Sequence, residues 1–432
     1  MNTFYIYTLG CKVNSYDSAD IESRMVSAGF SRAPLPAGAD VIIVNSCTVT
    51  AESDRKTRQT VSRAKRENPG ACVVLCGCLP QYSPEKAALV ADADIVTGNR
   101  LNAEIPGMIK AYLGKKEKTV QIEKHERNEL FTTSDVSRIE GRTRGFLKIQ
   151  DGCDRYCTYC AIPYARGFSR SVSDEAFDRE LELFSSSGCK EIVLVGVNLS
   201  FYGKEYGKNL ADAVERAAKT PGIVRVRLGS LEPELIDAPM IERLAKVPEF
   251  CPHFHISLQS GSDAVLKRMN RHYTSGEFAA VASEIRRLFP DAALTTDVIC
   301  GFPGETEDEF LKTLDFVGKM RFEKTHIFPY SKREGTPAAK MDGQLTAAVK
   351  SERCRRLKEV CDKTRAEYVA SRIGMTYEVL FETPKGGMQT GYTKNYIPVT
   401  APYCRDLTGE RRLVRIEAFD GERARASVLS DI

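Results

Sequence analysis

Short, continuously apolar runs recur through this chain, each followed by a longer amphipathic stretch. That alternation limits the fold more than any other feature. Phe4-Tyr5-Ile6-Tyr7, Val41-Ile42-Ile43-Val44 and Cys72-Val73-Val74-Leu75 read as strands, with Ile95-Val96 a weaker fourth. The stretches 18–28 and 52–67 between them carry helical periodicity. Strands apolar on both faces and joined by helices predict a doubly wound parallel sheet over residues 1–114. Such sheets bind ligands at the carboxyl ends of their strands.

Residues 115–141 are charged and weakly apolar and read as a connector, with one short strand at its start. A second α/β pattern occupies 142–370, with strands expected at 146–150, 192–197, 224–228, 253–258, 294–299 and 325–328. Six such repeats predict a partial TIM-type (β/α)6 barrel, two repeats short of a full one. A long charged helix is expected over 347–370. From 371 to 432 the pattern becomes short strands with turns at 377–381, 391–399, 412–418 and 423–429, which predicts a small antiparallel, OB-like β-barrel. The whole chain is therefore of the α/β class.

The 62 Lys and Arg against 58 Asp and Glu exclude a globally basic, duplex-coating protein. They leave room for a local basic patch, and 55–66 supplies one in Arg55, Lys56, Arg58, Arg63, Lys65 and Arg66. Fourteen cysteines are too few for a disulfide scaffold of this length. The start MNTFYIYTLG lacks the charged and apolar regions of a signal peptide. No apolar run reaches the length of a membrane span. A cytoplasmic chain without membrane attachment is expected, and there clustered cysteines point to metal chemistry rather than disulfides.

Two cysteine groups stand out. Cys153, Cys157 and Cys160 form a C-x3-C-x2-C spacing just after a strand and an Asp-Gly turn. Three thiolates can hold three irons of a 4Fe–4S cluster and leave the fourth iron open to a small molecule. Structural zinc would want a fourth protein ligand, and none lies nearby. The second group is dispersed: Cys11 in LGCKVN, Cys47 in NSCTVT, and Cys76 and Cys78 in CGCLPQ. Each follows a predicted strand, so the three sites converge on one sheet edge. Spacing alone does not choose between Cys76 and Cys78.

These motifs, with Arg166-Gly167, HISLQSGS at 255–262 and GFPGET at 301–306, resemble the radical S-adenosylmethionine (SAM) methylthiotransferases. The resemblance runs over nearly the whole chain. It implies an N-terminal methylthiotransferase domain, a radical SAM barrel and a C-terminal TRAM domain. It implies two 4Fe–4S clusters: one on Cys153, Cys157 and Cys160 that cleaves SAM to a 5′-deoxyadenosyl radical, and an auxiliary one on Cys11, Cys47 and Cys78. LGCKVN and NSCTVT are most similar to the branch that methylthiolates C2 of N6-threonylcarbamoyladenosine 37. Sister branches act on isopentenyladenosine 37 of tRNA or on a ribosomal-protein aspartate. A non-catalytic iron–sulfur RNA-binding protein is the distinct alternative, against which the open triads argue. Implied partners are the tRNA anticodon stem-loop and an electron donor such as flavodoxin or ferredoxin; no sulfur donor is implied.

Gly196 and Asn198, Ser230 and Glu232, and Gln259 fall at predicted strand ends, on the face where barrel enzymes build their sites. They are candidates for holding SAM, with turn formation and strand capping as the competing role. No side chain beyond the cluster ligands is assigned a catalytic part. His253 and His255 share one strand face and are expected to pack or hydrogen-bond. Tyr392, Lys394 and Tyr396 are compatible with RNA contact in the C-terminal barrel.

Overall fold

The computed structural model describes residues 3–127, 129–131 and 143–431. The first unit is a six-stranded, wholly parallel sheet of β1 (Thr3–Thr8), β2 (Ser31–Arg32), β3 (Val41–Ser46), β4 (Cys72–Gly77), β5 (Ile95–Thr97) and β6 (Thr119–Gln121), in the order β2-β1-β3-β4-β5-β6. Every residue of β3 and β4 is buried. Phe4, Ile43 and Val74 face one helical layer, and Ile42, Val44 and Val73 the other. That two-sided burial is why these strands read as unbroken apolar runs. The order reverses between β1 and β3, which makes their carboxyl ends the crevice of the sheet. Strand β6 is the short strand expected early in the connector, and it extends the first sheet; residues 128 and 132–141 of the connector lie outside the described residues.

The first helix spans Lys12–Ser27 and starts a full turn and a half before its apolar periodicity does. Its opening turns bury Asn14, Asp17 and Ser18, so the polar face points inward and hides the helix from a hydrophobic-pattern reading. The second helix, Ala51–Glu67, is capped by the Thr50 side chain, which accepts from the Ser53 N–H.

The central unit contains β7 (Arg144–Lys148), β8 (Gln150–Asp151), β9 (Arg170–Ser171), β10 (Glu191–Val195), β11 (Arg225–Leu228), β12 (Ser230–Leu231), β13 (His253–Ile256), β14 (Ala293–Cys300) and β15 (Lys324–Pro329). Strands β8 and β9 form a separate antiparallel pair. The others form two parallel sheets, β7-β10-β11 and β12-β13-β14-β15, linked by a bridge from Val226 to Phe250. Strands β7, β10, β11, β13, β14 and β15 are the six repeats expected of the partial barrel. Ile192, Leu194, Val226, Leu228, Phe254, Ile256, Leu294 and Val298 face outward into one large core beneath the helices. By period-2 alternation, the inward positions include Arg144, Glu191, Arg227, His253, His255, Thr295, Asp297 and His326, a polar lumen. Strands β7 and β15 do not pair, and Lys324, His326 and Phe328 of β15 are exposed along the open edge.

The helix Ala347–Ala370 leads to a closed barrel of β16 (Thr376–Lys385), β17 (Met388–Thr393), β18 (Pro398–Pro402), β19 (Arg411–Phe419) and β20 (Ala424–Asp431). It is antiparallel except for a two-residue parallel pairing of β18 with β20. The strand expected over 391–399 is broken: Tyr396 takes a φ of +69° and its N–H returns to the Thr393 carbonyl. This turn carries Tyr396 into the amino-terminal end of the central barrel. There it lies 4.5 Å under the Arg227 guanidinium and 4.7 Å from the His253 ring, and its hydroxyl accepts from Arg144 at 3.0 Å. Tyr392 stacks on Tyr396 at 4.7 Å. Both tyrosines, read as RNA contacts, thus plug the barrel floor.

Candidate active site

Cys11 ends the turn after β1 and occupies the N-cap position of the first helix; Cys47 follows β3; Cys78 follows β4 and opens the short helix Cys78–Tyr82. The sheet brings the three together, as the sequence motifs predicted. Asn14 sits at their centre. Its Oδ1 lies 3.9 Å from the Cys11 thiol and 3.8 Å from the Cys78 thiol, and its Nδ2 donates to the Leu9 and Ser46 carbonyls at 2.8 Å each. Gly10, at φ +105°, lets the β1 turn close over Cys47: a Cβ there would fall 2.6 Å from Cys47 Cβ and 2.9 Å from its Sγ. Cys76 points the other way, into the apolar core with Cys72. Gly77, at φ +92°, ends β4 and turns the chain into the short helix, so Cys78 faces Asn14 while Cys76 faces the core.

The second triad lies on the loop between β8 and the helix Ile162–Arg166. The Cys153 N–H donates to the Gly167 carbonyl and the Cys160 N–H to the Cys157 carbonyl, which folds the loop tightly. Cys153 Sγ accepts from Asn198 Nδ2 at 3.7 Å, and Cys157 Sγ from Arg271 Nη1 at 3.4 Å. Arg271 is held by Glu232 and hydrogen-bonds the Tyr273 hydroxyl at 3.0 Å. Burial raises the Glu232 carboxyl above its ordinary range, with the Arg271 charge opposing.

The predicted SAM residues divide accordingly. Asn198 meets the cysteine loop directly, and Glu232 meets it through Arg271. Asn198 also keeps a buried Oδ1 with no hydrogen-bond partner among the described residues. Gly196 lies behind Asn198, where a Cβ would fall 2.8 Å from Gln150 Oε1. That oxygen accepts the Asn198 N–H at 2.8 Å, so Gly196 is needed for the turn. Ser230 is exposed. Gln259, at φ +65°, bridges to β14 through its backbone: its N–H donates to the Asp297 carbonyl and its carbonyl accepts from Ile299.

Both groups fit an iron–sulfur cluster better than a single ion. Tetrahedral zinc–thiolate bonds of about 2.3 Å put the sulfurs about 3.8 Å apart. Among the described residues, only His255, Asp297 and His326 bring three ligand atoms within 4.8 Å of one another; neither cysteine triad does. All fourteen cysteines are free. Burial pushes the Cys78 thiol up to about 12 and the Cys153 thiol to about 11. Each triad has one buried arginine opposing that shift, Arg166 beside Cys78 and Arg271 beside Cys157.

The two triads are joined by a buried polar network. Arg166 Nη2 donates to Asn14 Oδ1 and to Asp17 Oδ2, both at 2.7 Å, while Nη1 donates to Asp151. Lys148 Nζ completes the square with Asp17 and Asp151 at 2.5 and 3.1 Å. Asn99 Nδ2 contacts Cys78 Sγ at 3.8 Å and the Ala165 carbonyl at 2.9 Å. Asn14, Asn99 and Arg271 were missed in the sequence. Only Asn14 had a signal, its place one helical turn after Cys11.

Of the basic run, Arg55, Lys56, Arg58, Arg63 and Arg66 are exposed on the second helix, although Arg55 pairs with Glu52 at 2.6 Å. Lys65 is withdrawn by Asp94 at 2.8 Å. Among the described residues no helix is long and apolar enough to cross a membrane.

Residues 147–317 match the Radical SAM superfamily, and residues 3–98 match the family described as Uncharacterized protein family UPF0004. The threonylcarbamoyladenosine tRNA methylthiotransferase MtaB of Bacillus subtilis is 38% identical, covering 96% of this chain and 94% of that protein. Its namesake from Thermotoga maritima is 39% identical over 98% and 96%. The tRNA-2-methylthio-N(6)-dimethylallyladenosine synthase of Pelotomaculum thermopropionicum is 34% identical over 89% and 88%. Among solved structures, the radical SAM methyltransferase TsrM of Kitasatospora setae aligns with a TM-score of 0.55 at 12% identity, over 95% of this chain and 84% of that one, and so shares the fold. The radical SAM assignment brings a 4Fe–4S cluster and SAM with it as cofactors. With identity at this level over nearly its full length, the chain belongs to the radical SAM methylthiotransferases.

Proposed function

We propose that this enzyme converts the C2–H of N6-threonylcarbamoyladenosine 37, in the anticodon stem-loop of tRNA, into C2–S–CH3. The observation that carries the reading is the pairing of two three-cysteine groups, one on each of two packed units, through Arg166 and Asn14. The relatives named for this substrate, at 38–39% identity, support the choice of branch.

In this reading Cys153, Cys157 and Cys160 hold the SAM-cleaving cluster, and Cys11, Cys47 and Cys78 hold an auxiliary cluster. When bound, the two clusters supply reductive SAM cleavage and a sulfur site with one open iron. The protein's own part is placement. Asn198 and Arg271 fix the orientation of the Cys153 and Cys157 sulfurs, and the unused Asn198 Oδ1 is a ready acceptor for the SAM amino group. Gly196, Ser230, Glu232 and Gln259 shape the rest of that subsite. The Arg166–Asp17–Lys148–Asp151 square fixes the first sheet against the barrel, so both sulfur groups address one space and water is kept from the joint. Arg58, Arg63 and Arg66 on the second helix offer phosphate contacts to the stem. A flavodoxin or ferredoxin is the electron donor, and the cytoplasm is where such a donor and tRNA meet.

Nucleoside mass spectrometry of tRNA from a strain lacking the gene tests this. The 2-methylthio-N6-threonylcarbamoyladenosine should vanish and its unthiolated precursor accumulate. Persistence of the product, with no second enzyme of this kind in the genome, would refute the assignment.

A further inference from the structure

The lumen of the central barrel carries another set of metal-ligand side chains, and this one contains no sulfur. His255 of β13, Asp297 of β14 and His326 of β15 stand on three adjacent strands. Asp297 and His326 are partners in the parallel β14–β15 register, and His255 is the partner of Thr295, one pleat before Asp297 on the same face. This placement brings one ligand atom from each residue within 4.8 Å of the others. His255 Nε2 lies 3.3 Å from Asp297 Oδ2, and the His255 and His326 ring centres are 5.7 Å apart, edge to face. The second His255 nitrogen, Nδ1, contacts Thr295 Oγ1 at 2.9 Å. That contact fixes the ring and leaves Nε2 as the nitrogen directed at Asp297, the arrangement in which an outer partner orients a ligating imidazole.

The charges around the three residues favour a cation. Glu191, the acid of the barrel floor, has Arg227 at 2.7 Å. Asp297 has no such partner: among the described residues no lysine or arginine lies within ion-pair distance of it, and only His255 does. The His326 side chain makes no hydrogen bond among the described residues. Lys324 shares the inward face of β15, one pleat toward its amino end, but it is exposed and water screens its charge. A metal ion satisfies all three side chains at once, taking the charge of Asp297 and a lone pair from each imidazole.

We propose that His255, Asp297 and His326 bind a zinc ion, as a metal centre separate from both cysteine groups. Tetrahedral zinc with bonds of about 2.0–2.2 Å to nitrogen and oxygen puts its donors about 3.3–3.5 Å apart. The His255–Asp297 spacing already matches that, and the exposed His326 ring closes the triangle by rotation. Imidazole and carboxylate donors suit a single zinc ion, whereas the thiolate triads suit iron–sulfur clusters. Three protein ligands leave one position open to the lumen, where the ion acts as a Lewis acid toward an oxygen donor. The site lies directly beneath Gln259, whose N–H donates to the Asp297 carbonyl. It does not depend on which nucleoside the enzyme accepts.

The test uses enzyme with its clusters already reconstituted, so that the cysteines are occupied, equilibrated anaerobically with zinc chloride against a competing chelator. Zinc and iron are then counted per chain. The wild type should hold about one zinc in addition to its iron. His326→Phe and His255→Asn should each lose it with iron unchanged, a loss of affinity beyond the roughly 10–100-fold cost of removing an outer partner. Thr295→Val, which removes only the contact to His255, should weaken zinc about tenfold. X-ray absorption at the zinc edge should show nitrogen and oxygen neighbours alone, and it decides the matter on the wild type should a variant fail to fold. A sulfur shell, which would put the zinc on a vacated cysteine group, overturns the proposal. So does zinc retained equally by the wild type and His326→Phe, or a wild type that holds none.

Discussion

Arg166 Nη2 and Asn14 Oδ1 meet at 2.7 Å, and the same oxygen touches the thiols of Cys11 and Cys78. One hydrogen bond thus links the barrel helix that follows the second cysteine loop to the helix that begins at the first. It is buried, and its guanidinium also carries Asp17 and Asp151.

Arg166→Met leaves those two carboxylates with Lys148 as their main counter-charge in a buried site. Breaking a buried ion pair from one side costs about 3–5 kcal/mol. Anaerobic urea unfolding should show a loss of that order, with the first sheet released early to protease. Arg166→Lys keeps the charge but loses the planar fork that serves Asn14, Asp17 and Asp151 together, so it should recover only part of the stability.

Reconstituted wild-type enzyme should contain about eight irons per chain if both triads hold 4Fe–4S clusters. Cys153→Ala and Cys11→Ala should each retain about four, and Cys76→Ala about eight. Iron and sulfide analysis checks this, and a four-iron wild type would sink the second cluster. Gly10→Ala should behave like Cys11→Ala, because its Cβ would occupy the space of the Cys47 side chain.

Asn198→Leu should leave iron content unchanged and weaken SAM binding about tenfold, the scale of one lost hydrogen bond to a charged group. Equilibrium dialysis with SAM reads the effect. Unaltered affinity would return Asn198 to a purely structural role beside Gln150.

Glu191, buried between Arg227 and Arg225 at 2.7 and 3.7 Å, gives the barrel floor its acid sensitivity. Although burial opposes ionisation, the Arg227, Arg144 and Arg225 charges together hold its carboxyl below the ordinary range. A carboxyl depressed by folding stabilises the protein above its unfolded pKa, about 4.3. That stabilisation is lost as pH falls through the folded value. Glu191→Gln should therefore lower stability at pH 7 by about 3–5 kcal/mol and flatten the dependence of the unfolding midpoint on pH below about 4.3. An unaltered acid limb would show that other carboxylates control it.

The sequence by itself determined five of the six strands of the first sheet, all but the two-residue edge strand β2, together with the six barrel strands and the two cysteine groups. These are properties of local pattern: apolar runs on β3 and β4, buried on both faces, and a three-cysteine spacing within eight residues. The start of the first helix was not legible, because Asn14 and Asp17 turn their polar side chains inward to partners more than a hundred residues away. Telling Cys78 from Cys76 needed the positive-φ turn at Gly77 or a resemblance. Tyr396 read as an RNA contact until the turn at 394–396 placed it under Arg227. Only the tertiary structure joined Arg166 to Asn14. Local pattern records which face of an element is apolar. It carries no record of which distant charge completes a buried polar group, because that partner is chosen when the two units pack.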